Sequence, residues 1–155
     1  MKRTRTIGSL LFTALATGLV LFAAHTRVTA HCQIPCGIYG DETRFALLGE
    51  HITTIEKSMN LIGALSEDPA RNANQIARWV QNKETHADEI AEIVTEYFLR
   101  QRIKPAGADD SGYVTKLTLC HQLLVSSMKA KQSTDKAHVE ALRATLAAFH
   151  KAYAK

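Results

Sequence analysis

Between residues 45 and 62 the apolar side chains fall at Phe45, Leu48, Ile52, Ile55, Met59 and Ile62, in steps of three and four that line one face of an α-helix. Asp41 stands where that helix wants a cap. Ser66-Glu67-Asp68-Pro69 interrupts the pattern, with Asp68 placed as N-cap and Pro69 as the first helical residue, where a missing N–H costs nothing. A second helix is predicted from about Pro69 to Arg102, long enough to bend, its buried face running through Ile76, Val80, Ala87, Ile90, Val94 and Tyr97 or Phe98. Residues 104–112, with Pro105, Gly107, Asp109 and Asp110, form the next break. Val114, Leu117, His121, Leu124 and Met128 mark a third helix. Leu142, Leu146, Phe149 and Tyr153 mark a fourth, capped by Ser133 or Thr134. No segment alternates with period two over the length of a strand. The fold class implied is all-α: a single four-helix bundle, up-down-up-down, over residues 41–155.

Ahead of it the pattern changes. Residues 1–30 have a basic start (Met1 to Arg5), an apolar run from Ile7 to Ala24 and a small-residue exit, Val28-Thr29-Ala30, the three parts of a cleaved secretory signal peptide. An uncleaved membrane anchor is the alternative, although Gly8 and Gly18 dilute the run. Without an Arg-Arg pair, general export is expected rather than the twin-arginine route. The leader also accounts for the charge. The whole chain carries 19 Lys and Arg against 15 Asp and Glu, a net +4, but Lys2, Arg3, Arg5 and Arg27 all precede His31 and no acid does. The chain from His31 onward is formally neutral, which argues against nucleic acid as a partner. Cleavage would leave no stable membrane association and an exported product, periplasmic or secreted.

Export makes the three cysteines informative. Cys32, Cys36 and Cys120 are an odd number, so at least one thiol stays outside any intramolecular disulfide. Two of them lie in residues 31–39, ahead of the first helix. Cleavage after Ala30 frees the amine of His31 beside its imidazole, and within six residues the chain then offers that amine, the ring nitrogen, the Cys32 backbone nitrogen and the thiolates of Cys32 and Cys36. Mixed nitrogen and sulfur donors in a tetragonal plane suit Ni(II) or Cu(II) rather than Mg or Ca. Pro35 restricts the backbone between the cysteines, and Gly37 permits a bend that a Cβ would resist. A small Cys32–Cys36 disulfide is the competing reading of the spacing alone.

With these residues in place the chain resembles the nickel superoxide dismutase family, whose mature chains begin His-Cys-x-x-Pro-Cys-Gly-x-Tyr. His31, Cys32, Pro35, Cys36, Gly37 and Tyr39 occupy those places, and a thinner likeness continues through Tyr97-Phe98 and His121-Gln122-Leu123. The resemblance implies a superoxide dismutase that converts superoxide to dioxygen and hydrogen peroxide by Ni(II)/Ni(III) cycling, built as a homohexamer with one nickel ion per subunit. It implies that the metal takes the terminal amine and imidazole of His31, the amide and thiolate of Cys32, and the thiolate of Cys36. By the same resemblance Pro35 is cis, and Tyr39 stands at the mouth of the site and controls access of small anions. Thiolate and deprotonated amide donors make the higher oxidation state reachable, and the two protons needed per peroxide have Tyr39, water or a protonated thiolate as sources.

The chain departs from the commoner family pattern at Gln33, where Asp is usual, and at Gly40-Asp41, where Asp-Pro is usual. Leu47 or Leu48 stands where some members carry a glutamate bonded to the axial imidazole and backed by an arginine. Glu50 is the nearest carboxylate, and Arg78 or Lys83 the nearest basic partner. A ferritin-like di-iron site is excluded because no Glu has a His three residues on, and a c-type haem because Cys-x-x-Cys-His is missing. The alternative function is an exported, non-catalytic nickel- or copper-binding bundle. Cys120 is expected as a small buried hydrophobe, and Tyr97 and Trp79 as packing residues. His121 is expected in the core or an interface, and His51, His86, His138 and His150 on or near helix surfaces without special roles.

Overall fold

The computed structural model describes residues 40–154. Within them the chain is all-helical, and no strand occurs. Helix α1 spans Glu42–Leu65 and α2 spans Pro69–Glu92, continuing without a break as a π-helical segment over Ile93–Arg102. Helix α3 spans Ser111–Gln132 and α4 spans Ala137–Tyr153. Each helix packs on its neighbour in sequence, and α1 also packs on α4, which closes a four-helix bundle. The pairings of α1 with α2 run in opposite senses: Asn72 donates to the Leu65 carbonyl, Asn82 to the Ser58 hydroxyl, and His86 meets His51. The same is true of α1 and α4, where Glu42 pairs with His150 and Glu56 with Arg143. Among the described residues no helix is long and apolar enough to cross a membrane.

The cap at Asp68 is as expected, with Pro69 at the first position and the carboxylate accepting from the Arg71 amide at 3.3 Å. Asp110 does the same for α3 through the Tyr113 amide at 2.9 Å. Helix α4 starts later than its expected cap. Ser133 ends α3 in an extended conformation, and it is Asp135 that accepts from the Ala137 amide at 3.0 Å.

All six apolar positions expected of α1 are buried, as are Ala87, Ile90, Val94, Tyr97 and Phe98, whereas Ile76 and Val80 are only half-buried. The face of α3 differs from expectation. Leu117 and Leu124 pack half-buried against the core as expected, but Cys120, Leu123, Ser127 and Ala130 are the fully buried positions, while Val114, His121 and Met128 are exposed. Apolar and polar residues are mixed around α3, so periodicity does not single out one face, and the most deeply buried positions include the small residues Cys120, Ser127 and Ala130, which let its neighbours approach closely.

Lys83 is the buried cation of this core. Its Nζ crosses from α2 to the end of α3 and donates to the carbonyls of Ala130, at 2.6 Å, and Lys131, at 2.5 Å. The last carbonyls of a helix have no partner within it and carry the negative end of its dipole, so an ammonium group there both bonds and balances them. Burial pulls the Lys83 amine below its usual range. Replacing Lys83 by Met keeps the apolar stem and leaves those carbonyls uncapped. We expect a loss of about 2 kcal/mol in urea unfolding, with helix content at zero denaturant unchanged.

Candidate metal centre

The expected metal-binding residues His31, Cys32 and Cys36, with Pro35, Gly37 and Tyr39, lie outside the described residues. What is described is the point at which that segment joins the bundle. Gly40 has φ +79°, in the left-handed region that L side chains rarely adopt, although a Cβ there would meet no neighbour within 4 Å. The demand for glycine therefore comes from the backbone turn and not from crowding. Asp41 follows and begins α1, its carbonyl accepting from the amides of Arg44 and Phe45.

The Asp41 side chain does not cap the helix as the sequence suggested. Its carboxylate is turned inward, where Tyr97 donates to Oδ1 and Tyr153 to Oδ2 at 2.5 Å. Arg102 donates to Oδ2 from Nη2 at 2.8 Å and from Nε at 3.1 Å. The Arg102 Nε also lies 3.2 Å from the Tyr153 hydroxyl. One carboxylate thus ties the start of α1 to the π segment and to the end of α4. Beneath it the rings of Phe45, Phe98, Phe149 and Tyr153 pack with centroids 4.9–5.8 Å apart, a set of tilted and edge-on contacts that stiffens this end of the bundle.

The π segment makes the arrangement possible. Tyr97 and Arg102 are five residues apart, a spacing that points two side chains to different sides at 3.6 residues per turn but to nearly the same side in a helix closed by bonds of five-residue span. The Ile103 amide makes such a bond to the Phe98 carbonyl at 2.8 Å, and Ile103 itself is extended and ends the segment. Hydrophobic periodicity over residues 69–102 predicts one continuous helix and carries no sign of the change in pitch.

Electrostatics follow from the same contacts. Burial pushes the Asp41 carboxyl up, but the bonds from Tyr153, Tyr97 and Arg102 and the Arg102 charge outweigh it and hold the group below its usual 3.8. Burial first, and the bond to Asp41 second, push the Tyr153 phenol up to about 12. Arg102 is held charged, above its ordinary range, by Asp41. Next to Arg102 and Tyr153 opens a cleft of about 900 Å³ whose wall also carries Lys104, Lys116 and Lys151, with Asp110 as its acid.

Cys120 is fully buried, and burial pushes its thiol up to about 12. Tyr97 is buried as a packing residue but uses its hydroxyl on Asp41. Glu50 is exposed, and Lys83 is committed to the end of α3. His121 is exposed and not in the core of this chain. The partnership of Asp41, Arg102 and Tyr153 has no local signature in the sequence, where the three stand as a cap, a helix end and a stripe residue. A second cluster of donors, His51, His86 and Glu89, is likewise not evident in the sequence alone and holds no sulfur.

Residues 26–155 match the family model described as nickel-containing superoxide dismutase. The chain belongs to that family. It is accordingly an oxidoreductase with nickel as its cofactor and superoxide as its substrate, and of the two functions open to the sequence the non-catalytic chelator falls away. Among curated proteins and among solved structures no match is found. Family membership makes the junction at Gly40-Asp41 the connection between the nickel-binding segment expected at residues 31–39 and its scaffold.

Because Asp41 titrates lower in the folded chain than in the unfolded one, it contributes stability that is complete above about pH 4 and is lost as the pH falls through its folded value, below 3.8. Asp41→Asn should lower stability at pH 7 by roughly 2–3 kcal/mol and make the difference from the parent shrink toward pH 3. Urea unfolding at the two pH values measures both; an equal deficit at each would count against the carboxylate as the source.

Proposed function

We propose that the chain is exported, loses residues 1–30, and dismutates superoxide at a nickel ion held by His31, Cys32 and Cys36, in a hook that precedes an up-down-up-down bundle. The observation that carries this reading is the run His31-Cys32-x-x-Pro35-Cys36-Gly37-x-Tyr39, which lies inside the stretch matched by the family model. The chemistry of the remaining donors supports it. A nickel centre that cycles in oxidation state wants thiolates, and Cys120 is sealed in the core with its proton held to about pH 12. That leaves the sulfurs of Cys32 and Cys36. The opposed helix pairings support the bundle topology.

When bound, nickel supplies a one-electron couple that accepts an electron from one superoxide and returns it to another. The chain supplies the rest. The freed amine and imidazole of His31 and the two thiolates set the donor strength. Tyr39 holds a proton at its hydroxyl and controls the approach of small anions. Tyr39 stands two residues before Asp41 in the sequence, and the Asp41 carboxylate is tied to two helical elements, the π segment and α4. The lysines and Arg102 around the neighbouring cleft favour the arrival of an anion. Val114, His121, Val125 and Met128 form a partly apolar outer stripe on α3, of which Val114 is 41% and Met128 48% exposed. Such a stripe suits burial between subunits of a homohexamer.

Alkylation of the native protein, read by mass, tests the site. The reduced, metal-free chain should take two adducts, nickel should protect both, and Cys120 should react only after unfolding. Cys36→Ser should lose nickel on dialysis and lower the rate of superoxide removal by about a hundredfold or more. An active protein whose N-terminus retains residues ahead of His31 would end this reading of the ligand set.

A further inference from the structure

We propose that His51, His86 and Glu89 form a second metal site, for a divalent first-row transition ion such as zinc, separate from the nickel-binding segment. His86 and Glu89 are three residues apart on α2, which puts them on one helical face. His51 comes from α1 and meets them because the two helices run in opposite senses. The two Nδ1 atoms are 2.8 Å apart, and each is 3.0 Å from the same Glu89 oxygen, Oε2.

Three donor atoms at the corners of so small a triangle are hard to satisfy with protons alone. A single ring proton bonds along one edge and leaves lone pairs facing each other along another, while a proton on both rings sets two N–H groups against each other. One cation above the triangle serves all three. Zinc bonds of about 2.0–2.2 Å to nitrogen and oxygen at tetrahedral angles place neighbouring donors about 3.3–3.6 Å apart, so the observed triangle of 2.8, 3.0 and 3.0 Å closes on an ion by opening each edge by roughly half an ångström. Two imidazoles and a carboxylate form a donor set suited to borderline divalent ions, and they leave further positions for water.

The surroundings fit an accessible, ordered site. The His51 and His86 side chains are 14% and 25% exposed and Glu89 is 43% exposed, so the histidines are held by packing while the mouth faces solvent. His51 lies about 15 Å along α1 from Asp41, at 1.5 Å per residue. The absence of sulfur distinguishes the site chemically from one that cycles nickel. An ion there joins α1 to α2 and stabilises the folded chain in proportion to its occupancy.

The test uses purified protein carrying Cys32→Ser and Cys36→Ser, so that the sulfurs of the other site take no part. Zinc is titrated by equilibrium dialysis, with cobalt absorption as a second readout. The same background carrying His51→Gln, His86→Gln or Glu89→Gln is run beside it. We expect each added change to weaken one zinc site per chain by about a hundredfold and to abolish the rise in thermal midpoint that zinc produces in the parent. Zinc held by His31 or the terminal amine persists in all variants and does not enter the comparison. Glu89→Gln is isosteric at a half-exposed position and keeps the test valid where loss of a histidine unfolds the chain. Equal zinc affinity in parent and Glu89→Gln, or a natively helical parent that binds no zinc lost by these changes, overturns the proposal.

Discussion

The carboxylate of Asp41 accepts from Tyr97, Tyr153 and Arg102, and through them the first turn of α1 is held by the π segment after α2 and by the end of α4. A charge taken out of water is costly unless it is both paired and fully bonded, and here both conditions are met by groups that no local sequence window contains. The junction is consequently cooperative. Displacing the π segment or the last turn of α4 costs the carboxylate part of its bonding, so the order of each element favours the order of the others. The start of α1 is thereby anchored by residues that stand 56 to 112 positions further along the chain.

A wide helical turn is a poor element in isolation, since its bonds are less well directed and it is rare outside short insertions. At residues 93–102 it survives because the alternative has a cost of its own. At ordinary α pitch Tyr97 and Arg102 diverge, and Asp41 keeps at most one of them. The doublets Ile93-Val94 and Tyr97-Phe98, all four buried, add apolar burial to the same segment. Packing and polar satisfaction thus agree on the distortion, the condition under which a strained local geometry persists.

How legible this was from the sequence depends on range. The α1 stripe, the Asp68-Pro69 cap and the breaks near residues 66 and 105 were readable because their physics is local: periodicity, a cap and a proline. The α3 face was not, because Val114, Leu117, Leu124 and Met128 compete with Cys120 and Leu123, and the choice is made by neighbours such as Lys83, which reaches the end of α3 from α2. Asp41 was read as a cap because aspartate before a helix usually is one; its real partners stand 56 to 112 residues away. The His86-x-x-Glu89 spacing was visible, but only as the reverse of the order sought for a di-iron bundle, and its third member needed the packing of α1 on α2.

The donor chemistry of the chain is divided by place. Of the three cysteines, Cys120 is enclosed by the core and keeps its proton, and the other two precede α1 in sequence. Nitrogen and carboxylate donors gather instead on the α1–α2 face at His51, His86 and Glu89. The separation matters because both sets attract borderline divalent ions, and an ion at the wrong set is either inert or unable to change oxidation state. Thiolates stabilise the higher oxidation state of nickel, whereas two neutral imidazoles and a carboxylate do so far less. Burial of Cys120 in the core removes its thiol from competition for metal ions, which bears on metal selectivity as directly as a ligand does.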